Sequence, residues 1–124
     1  MSDLATTQAQ AMEQAEAEGL EVIHGDSQTL LIDLDDAESI RYYNEQLPSI
    51  KKELEARGNK LTKKQSYTSK SGVGRHVILK LKHPLPLEQR LIIQACLGSD
   101  RVKEFLSLMR FVDGDPEPCL LFKP

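Results

Sequence analysis

Residues 30–36 read LLIDLDD, an apolar stretch that predicts a β-strand with acids at its end. Side chains alternate between the two faces of a strand, so the apolar residues at even positions share one face and Asp33 and Asp35 share the other. Two carboxylates at the end of a strand can bind a hard divalent cation. They can equally well cap the helix that follows, because Asp35 precedes Glu38 by the spacing of a capping box.

The length and composition predict a single cytoplasmic domain. The chain has 124 residues, of which 40 % are hydrophobic, enough for one core. It contains no apolar run of membrane-spanning length, and its N-terminus lacks the pattern of a signal peptide. Cys96 and Cys119 lie in apolar segments without metal-binding spacing, so both are predicted to be reduced thiols in the core. We therefore expect no membrane partner.

The net charge of −3 conceals an uneven distribution of charge along the chain. Residues 1–50 carry eleven acids and one base, whereas residues 51–82 carry ten bases and two acids. A basic block this concentrated favours a phosphate-bearing partner. A solvated, lysine-rich surface has the same composition, and the sequence leaves that interpretation open.

Hydrophobic periodicity predicts strands that alternate with helices after an N-terminal arm. Apolar residues from Ile40 to Leu54 recur with helical spacing, and Pro48 among them predicts a kink or a restart. The predicted elements are a helix over 5–18, a short strand over 20–23, strand 29–34, helix 40–54, strands 61–68 and 76–82, helix 87–97, a helix after Ser99, and strand 119–122.

This order, βαββαβ, predicts an α+β domain of ferredoxin-like topology, the plan of RNA-recognition motif (RRM-like) domains. Its antiparallel sheet carries helices on one face and leaves the other face uncovered for nucleic acid. We assign 1–28 to a helical arm with a short strand and 29–124 to the domain. In the helix after Ser99, the residues expected to face the core are Val102, Phe105, Leu106 and Met109.

The topology predicts a convergence of polar groups that are distant in sequence. The first and third strands of this fold are antiparallel neighbours, so the end of 29–34 lies beside the start of 76–82. The alternation of side chains places Asp33, Asp35 and His76 on the same uncovered face. Before His76, the glycine turn 71–75 either contacts phosphate through its backbone amides or forms an ordinary hairpin loop.

Three short motifs together resemble the archaeo-eukaryotic primase (primase–polymerase) superfamily. They are a hydrophobic-Asp-Leu-Asp strand ending at Asp35, a Ser-Gly-x-Gly-x-His segment ending at His76, and a Leu-Gly-Ser-Asp segment ending at Asp100, with Arg110 further on. The resemblance covers about residues 29–124. It implies an RRM-like palm that makes phosphodiester bonds from nucleoside triphosphates with two divalent metal ions, Mg²⁺ or Mn²⁺.

The resemblance also implies roles for individual residues. Asp33, Asp35 and Asp100 would be the metal ligands, and His76 would act with them as a catalytic residue that contacts the triphosphate. The nucleotide and its phosphates would be bound by Lys70, Ser71, Arg75, His76, Arg110 and Lys123. A DNA or RNA template or primer would be contacted by the basic block, at Lys60, Lys63, Lys64 and Lys80. Such a chain would suit the DNA replication of a phage or mobile element, with a replication protein as a further partner.

Two other functions remain open at this point. The same fold could be a non-catalytic module that binds nucleic acid or nucleotides, although only Tyr67 is a candidate for base stacking on the open face. The chain could also be a small protein-interaction domain whose basic block meets an acidic partner. Loss of metal-dependent activity in Asp33→Asn would favour the enzyme over both.

Overall fold

The computed structural model of the chain describes residues 8–124. Positions 5–7 of the helix predicted over 5–18 therefore lie outside the described residues. The helices are α1 (Gln8–Ala17), α2 (Ala37–Ala56), α3 (Leu87–Cys96) and α4 (Arg101–Val112). The strands are β1 (Glu21–His24), β2 (Thr29–Leu34), β3 (Leu61–Thr68), β4 (Arg75–Leu81) and β5 (Leu120–Lys123).

The described residues form an α+β structure with four helices and two small antiparallel sheets. One sheet has three strands in the order β2-β4-β3, and the other pairs β1 with β5. The predicted succession of strands and helices is confirmed, and α2 continues through Pro48 as one helix. The prediction of a single four-stranded sheet is wrong. β5 pairs with β1, a strand outside the βαββαβ order, and has no paired register with β2.

Side chains and backbone from the α3–α4 region occupy the edge of β2 that faces away from β4. The Leu31 amide donates a hydrogen bond to Gln94 Oε1 at 3.0 Å. The Asp33 amide donates to Ser99 Oγ, also at 3.0 Å. Both donors would otherwise be unpaired at the edge of the sheet, where an unsatisfied buried amide costs about 1–3 kcal/mol.

The outward carbonyl groups of the same two β2 residues are satisfied by α4. Lys103 Nζ donates to the Leu31 carbonyl at 2.8 Å. The Asp100 amide donates to the Asp33 carbonyl at 2.7 Å. The α3–α4 hairpin therefore takes the place that a neighbouring strand would occupy, which explains why β5 pairs elsewhere.

Apolar clusters lie on both faces of the three-stranded sheet, so the prediction of one uncovered face is wrong. On the first face the even-numbered residues of β2 pack with Tyr43 and Leu54 of α2. On the second face Leu31 and Ile78 pack with residues of α3 and β5, among them Leu121. Leu31 is fully buried and Ile78 is only 8 % exposed. The sheet thus offers no broad open surface of the kind that RNA-recognition domains use.

The orientation of α4 differs from the prediction. Val102, Phe105 and Met109 are exposed to solvent, whereas Glu104 and Ser107 are buried. The reason is that α4 packs against a polar strand edge, where Glu104 accepts a hydrogen bond from Gln94 Nε2 at 2.7 Å. Burial of a polar face is stable here because its groups are hydrogen-bonded.

The cysteine prediction is half correct. Cys119 is buried beside β5, and burial raises the pKa of its thiol to about 11. Cys96, at the end of α3, is exposed instead of buried. Both are free thiols. Among residues 8–124 no helix has the length and hydropathy of a membrane span.

Gln94→Met is expected to destabilise the fold by about 2–4 kcal/mol, because it leaves the Leu31 amide without an acceptor and Glu104 Oε1 without a donor, so that Glu104 keeps only its contact with Lys103. Methionine keeps the length and helix propensity of glutamine. Chemical denaturation measures the change. Gln89→Met, on the exposed side of the same helix, is the control and should stay within about 0.5 kcal/mol of wild type. Equal effects of the two substitutions would contradict this role for Gln94.

Candidate functional site

The pairing of β2 with β4 brings Asp33 and His76 together. The two residues are opposite each other in the register, as the topology predicted. Asp33 Oδ1 lies 3.2 Å from His76 Nε2, and His76 Nδ1 lies 3.1 Å from the Tyr67 hydroxyl. His76 is only 8 % exposed, so both ring nitrogens are engaged within the protein. The row Tyr67–His76–Asp33 holds the Asp33 carboxylate in a defined orientation.

The cap of α2 is Asp36, which corrects one interpretation of the sequence. The Ser39 amide donates to Asp36 Oδ1 at 2.8 Å, and this hydrogen bond lowers the pKa of the Asp36 carboxyl. Helix α2 accordingly begins one residue later than a cap at Asp35 would require. Asp35 is thus left with no capping role between the strand and the helix.

Asp100, at the start of α4, lies beside Asp33 at the end of β2. Its backbone amide is bound to the Asp33 carbonyl, and its carboxylate accepts from the amides of Val102 and Lys103 at 3.3 Å each. Asp100 therefore caps α4 and also belongs to the acidic cluster. Carboxylate oxygens of Asp33, Asp35 and Asp100 all lie within 4.8 Å of one another.

The crowding of these carboxylates shows in their electrostatics. Desolvation, together with the charges of Asp33 and Asp100, raises the pKa of Asp35 from its ordinary value to about 6. Like charges at this separation repel, and no cation is bonded to Asp35 among the described residues. Such repulsion is the condition that a divalent cation relieves.

A glycine permits the strand end to lie against the turn before β4. A Cβ atom on Gly74 would meet the carbonyl oxygens of Leu34 and Asp35. The Ser69 amide also bonds the Gly74 carbonyl at 3.0 Å, which closes the loop between β3 and β4. The glycine motif is therefore a tight structural turn that places residues 69–71 beside the acidic cluster.

One cavity of about 390 Å³ joins the acidic cluster to basic and hydroxyl groups. Lys70 reaches it from the β3–β4 loop and forms an ion pair with Glu18, which follows α1, at 2.7 Å. Arg110 reaches it from α4, and burial lowers the pKa of its guanidinium. The predicted site residues that line this cavity are Asp33, Asp35, Lys70, Ser71, His76, Asp100 and Arg110.

The other predicted site residues lie outside the cavity lining. Arg75 donates a hydrogen bond to Ser66 at 3.1 Å, and the Lys123 ammonium lies over the Tyr67 ring, 5.7 Å from its centroid. Neither residue lines the cavity. The same holds for the four lysines assigned to nucleic acid, which are Lys60, Lys63, Lys64 and Lys80.

Sequence reasoning missed several groups around the site. Ser99 and Lys103 hold the β2 edge, Tyr67 hydrogen-bonds to His76, and Glu18 bonds to Lys70. Ser99 carried a signal, because it adjoins Asp100 in a motif that was already noted, and Tyr67 was expected only to stack with bases. Glu18 and Lys103 contact Lys70 and Leu31, which are 52 and 72 residues away in the sequence. No local sequence pattern predicts such contacts.

The donor set suits a hard divalent cation. The three carboxylates offer oxygen atoms only, close enough to share one ion or a pair, and oxygen is the ligand that Mg²⁺ and Mn²⁺ prefer. The cluster also opens into a cavity, which leaves space for a substrate oxygen on the ion. Asp33 has the additional orienting contact from His76 that is usual for metal-binding carboxylates.

Asp35→Asn is expected to raise the melting temperature near neutral pH by about 2 °C in the absence of divalent metal. The pKa of Asp35 is higher in the folded state, so the folded protein keeps a proton that the unfolded chain loses. Stability therefore falls as the pH rises from about 4 to 6, and the variant escapes this loss.

Calorimetry across this pH range, with a chelator present, checks the result. The gain should vanish below about pH 4, where Asp35 is protonated in both states. Asp36→Ala is the matched control and should lower the melting temperature, because it removes the cap of α2. A variant at position 35 that is less stable than wild type at neutral pH would contradict carboxylate repulsion.

Comparison with known proteins does not supply a function for this arrangement. No family model, curated protein or solved structure matches the chain. The site itself combines three carboxylates within 4.8 Å, an orienting histidine, and basic groups in the same cavity.

Proposed function

We propose that this chain is a divalent-metal-dependent nucleotidyltransferase of the primase–polymerase type, which acts on DNA or RNA in replication. The observation that carries the proposal is the meeting of Asp33, Asp35 and Asp100, from the end of β2 and the start of α4, in a cavity that also contains Lys70 and Arg110. Acidic groups for a metal and basic groups for phosphate are the two requirements of metal-assisted phosphoryl transfer.

The order of the elements supports the same proposal. If β5 is taken as the neighbour of β2 across the gap, the strands follow the order β5-β2-β4-β3 of a ferredoxin-like or RRM-like sheet. The α3–α4 hairpin is then the helical segment between the third and fourth strands of this order and lies along β2, and β1 pairs with β5 at the far edge. In this arrangement Asp33 and Asp35 lie at the end of β2, one of the two inner strands.

In the proposed reaction the protein side chains bind and orient the substrates. The three aspartates would hold Mg²⁺ or Mn²⁺, which would stabilise charge on the transferred phosphoryl group and lower the pKa of the attacking hydroxyl. Lys70 and Arg110, which both line the cavity, would bind the phosphates of a nucleoside triphosphate. Ser71 can donate a hydrogen bond to the same phosphates from the tight turn.

His76 is better suited to positioning Asp33 than to contacting the triphosphate. Both of its ring nitrogens already have partners, and its side chain is only 10 % exposed. Contact with Asp33 fixes the carboxylate before substrate arrives, which reduces the reorganisation needed for binding. The substrates proposed, nucleoside triphosphates and nucleic acid, agree with a cytoplasmic location.

Asp33→Asn is expected to lower the affinity for ATP in the presence of Mn²⁺ at least about tenfold, because it removes one oxygen ligand of the cation. Titration calorimetry with and without Mn²⁺ measures the effect. Asp113→Asn, an exposed acid at the end of α4, is the control and should bind ATP as wild type does. Circular dichroism establishes that both variants are folded.

Primer extension on a short template with Mn²⁺ and nucleoside triphosphates then tests the chemistry. The wild-type protein should extend the primer, and Asp33→Asn should show no metal-dependent extension. An affinity for ATP that changes neither with Mn²⁺ nor with Asp33→Asn would contradict the metal site. Metal-dependent binding without extension would replace the proposed enzyme by a nucleotide-binding module on the same site.

A further inference from the structure

A groove with a basic rim lies between α2 and β3, apart from the acidic cluster. Its volume is about 200 Å³. Leucine side chains form its apolar floor, and three lysines line it together with Thr62. These lysines are Lys51 from α2 and Lys63 and Lys64 from β3. The fold thus brings together charges that are separated by twelve or more residues in the sequence.

The charges at this groove are not neutralised within the protein. Lys51, Lys63 and Lys64 form no ion pair with any residue in the range 8–124. Lys52 and Lys60, beside them in the chain, have none either. The positive potential of the three groove ammonium groups therefore extends into solvent.

The pairing of β3 with β4 adds a repulsion that favours an anion. Lys63 is the direct cross-strand partner of Lys80, and like charges in that relation are destabilising. Lys80 finds compensation elsewhere: its ammonium donates to Thr29 Oγ1 at 2.9 Å and lies 4.0 Å from Asp26. Lys63 has no such partner among the described residues, so an external anion is the group that would compensate it.

Lys64 is held in place by an aromatic ring. Its ammonium lies 5.4 Å from the centroid of Tyr43, a residue of α2 that is only 2 % exposed. The cation–π contact fixes the direction of a side chain that would otherwise sample many rotamers. A preset ammonium loses less entropy when it binds a phosphate.

The groove and the cavity of the acidic cluster share no lining residue. Lys64 pairs in register with Leu79, which belongs to the cluster on the α2 face. Asp33 pairs with His76, whose side chain lies on the other face. A nucleic-acid backbone bound in the groove therefore contacts residues other than those that line the acidic cavity.

We propose that the α2–β3 groove is a docking surface for the phosphodiester backbone of a nucleic acid, an anchor separate from the transfer site. Lysine ammonium groups from a helix and a strand fit repeated phosphates, and counterion release drives such binding without sequence preference. The groove lining contains no aromatic residue for base stacking, which agrees with recognition of the backbone alone. This inference does not depend on catalysis at the acidic cluster.

The test uses a fluorescent oligothymidylate of about 20 nucleotides and fluorescence anisotropy. In the variant Lys51→Gln/Lys63→Gln/Lys64→Gln we expect at least a tenfold weaker affinity at about 50 mM salt, and a salt dependence shallower by about two in log–log slope. The matched control Arg41→Gln/Arg57→Gln/Arg101→Gln removes three exposed cations outside the groove lining and should stay within threefold of wild type. Thermal melting establishes that both variants are folded.

Three results would overturn the proposal. Equal loss in the two triple variants would mean that only net charge matters. Displacement of the oligonucleotide by poly-glutamate at equal charge concentration would assign the groove to an acidic protein. Loss of Mn²⁺-dependent ATP binding in the groove variant would show that the two surfaces are not separate. Conversely, Asp33→Asn should retain oligonucleotide binding, so failure of the transfer site and failure of the groove are distinguishable.

Discussion

The outer edge of β2 is the constraint on which the rest of the structure depends. A buried strand edge has amide and carbonyl groups that must be paired, and no strand supplies the partners here. The α3–α4 hairpin supplies them through Gln94, Ser99, Asp100 and Lys103. This requirement explains why α4 turns its polar side inward and exposes its apolar residues, and why β5 pairs with β1.

The same constraint assembles the candidate site. The hydrogen bond from the Asp100 amide to the Asp33 carbonyl completes the strand edge, and it also places a third carboxylate beside the two at the end of β2. Pairing with β4 adds His76 from the opposite side. The crowding disfavours the ionised state of Asp35, whose pKa rises to about 6. A local cluster of groups that lowers the stability of the folded state is typical of a functional site.

Basic residues divide into two groups according to their surroundings. Lys70 and Arg110 line the cavity of the acidic cluster, and Lys70 is already matched to Glu18. The lysines at the α2–β3 groove have no acidic partners among the described residues. Basic residues that form one block in the sequence thus lie on two different surfaces. One borders the cavity of the acidic cluster, and the other is the α2–β3 groove, which faces solvent.

The sequence by itself determined the succession of strands and helices and the alternation of side chains within β2 and β4, because both follow from local periodicity. Strand pairing in this order then brings Asp33 next to His76. Only the tertiary structure decided that Asp36 caps α2, that α4 buries Glu104, that the second sheet face is covered, and which lysines remain uncompensated. These outcomes depend on contacts between residues distant in the chain, in which hydrogen-bond satisfaction outweighs hydrophobic pattern.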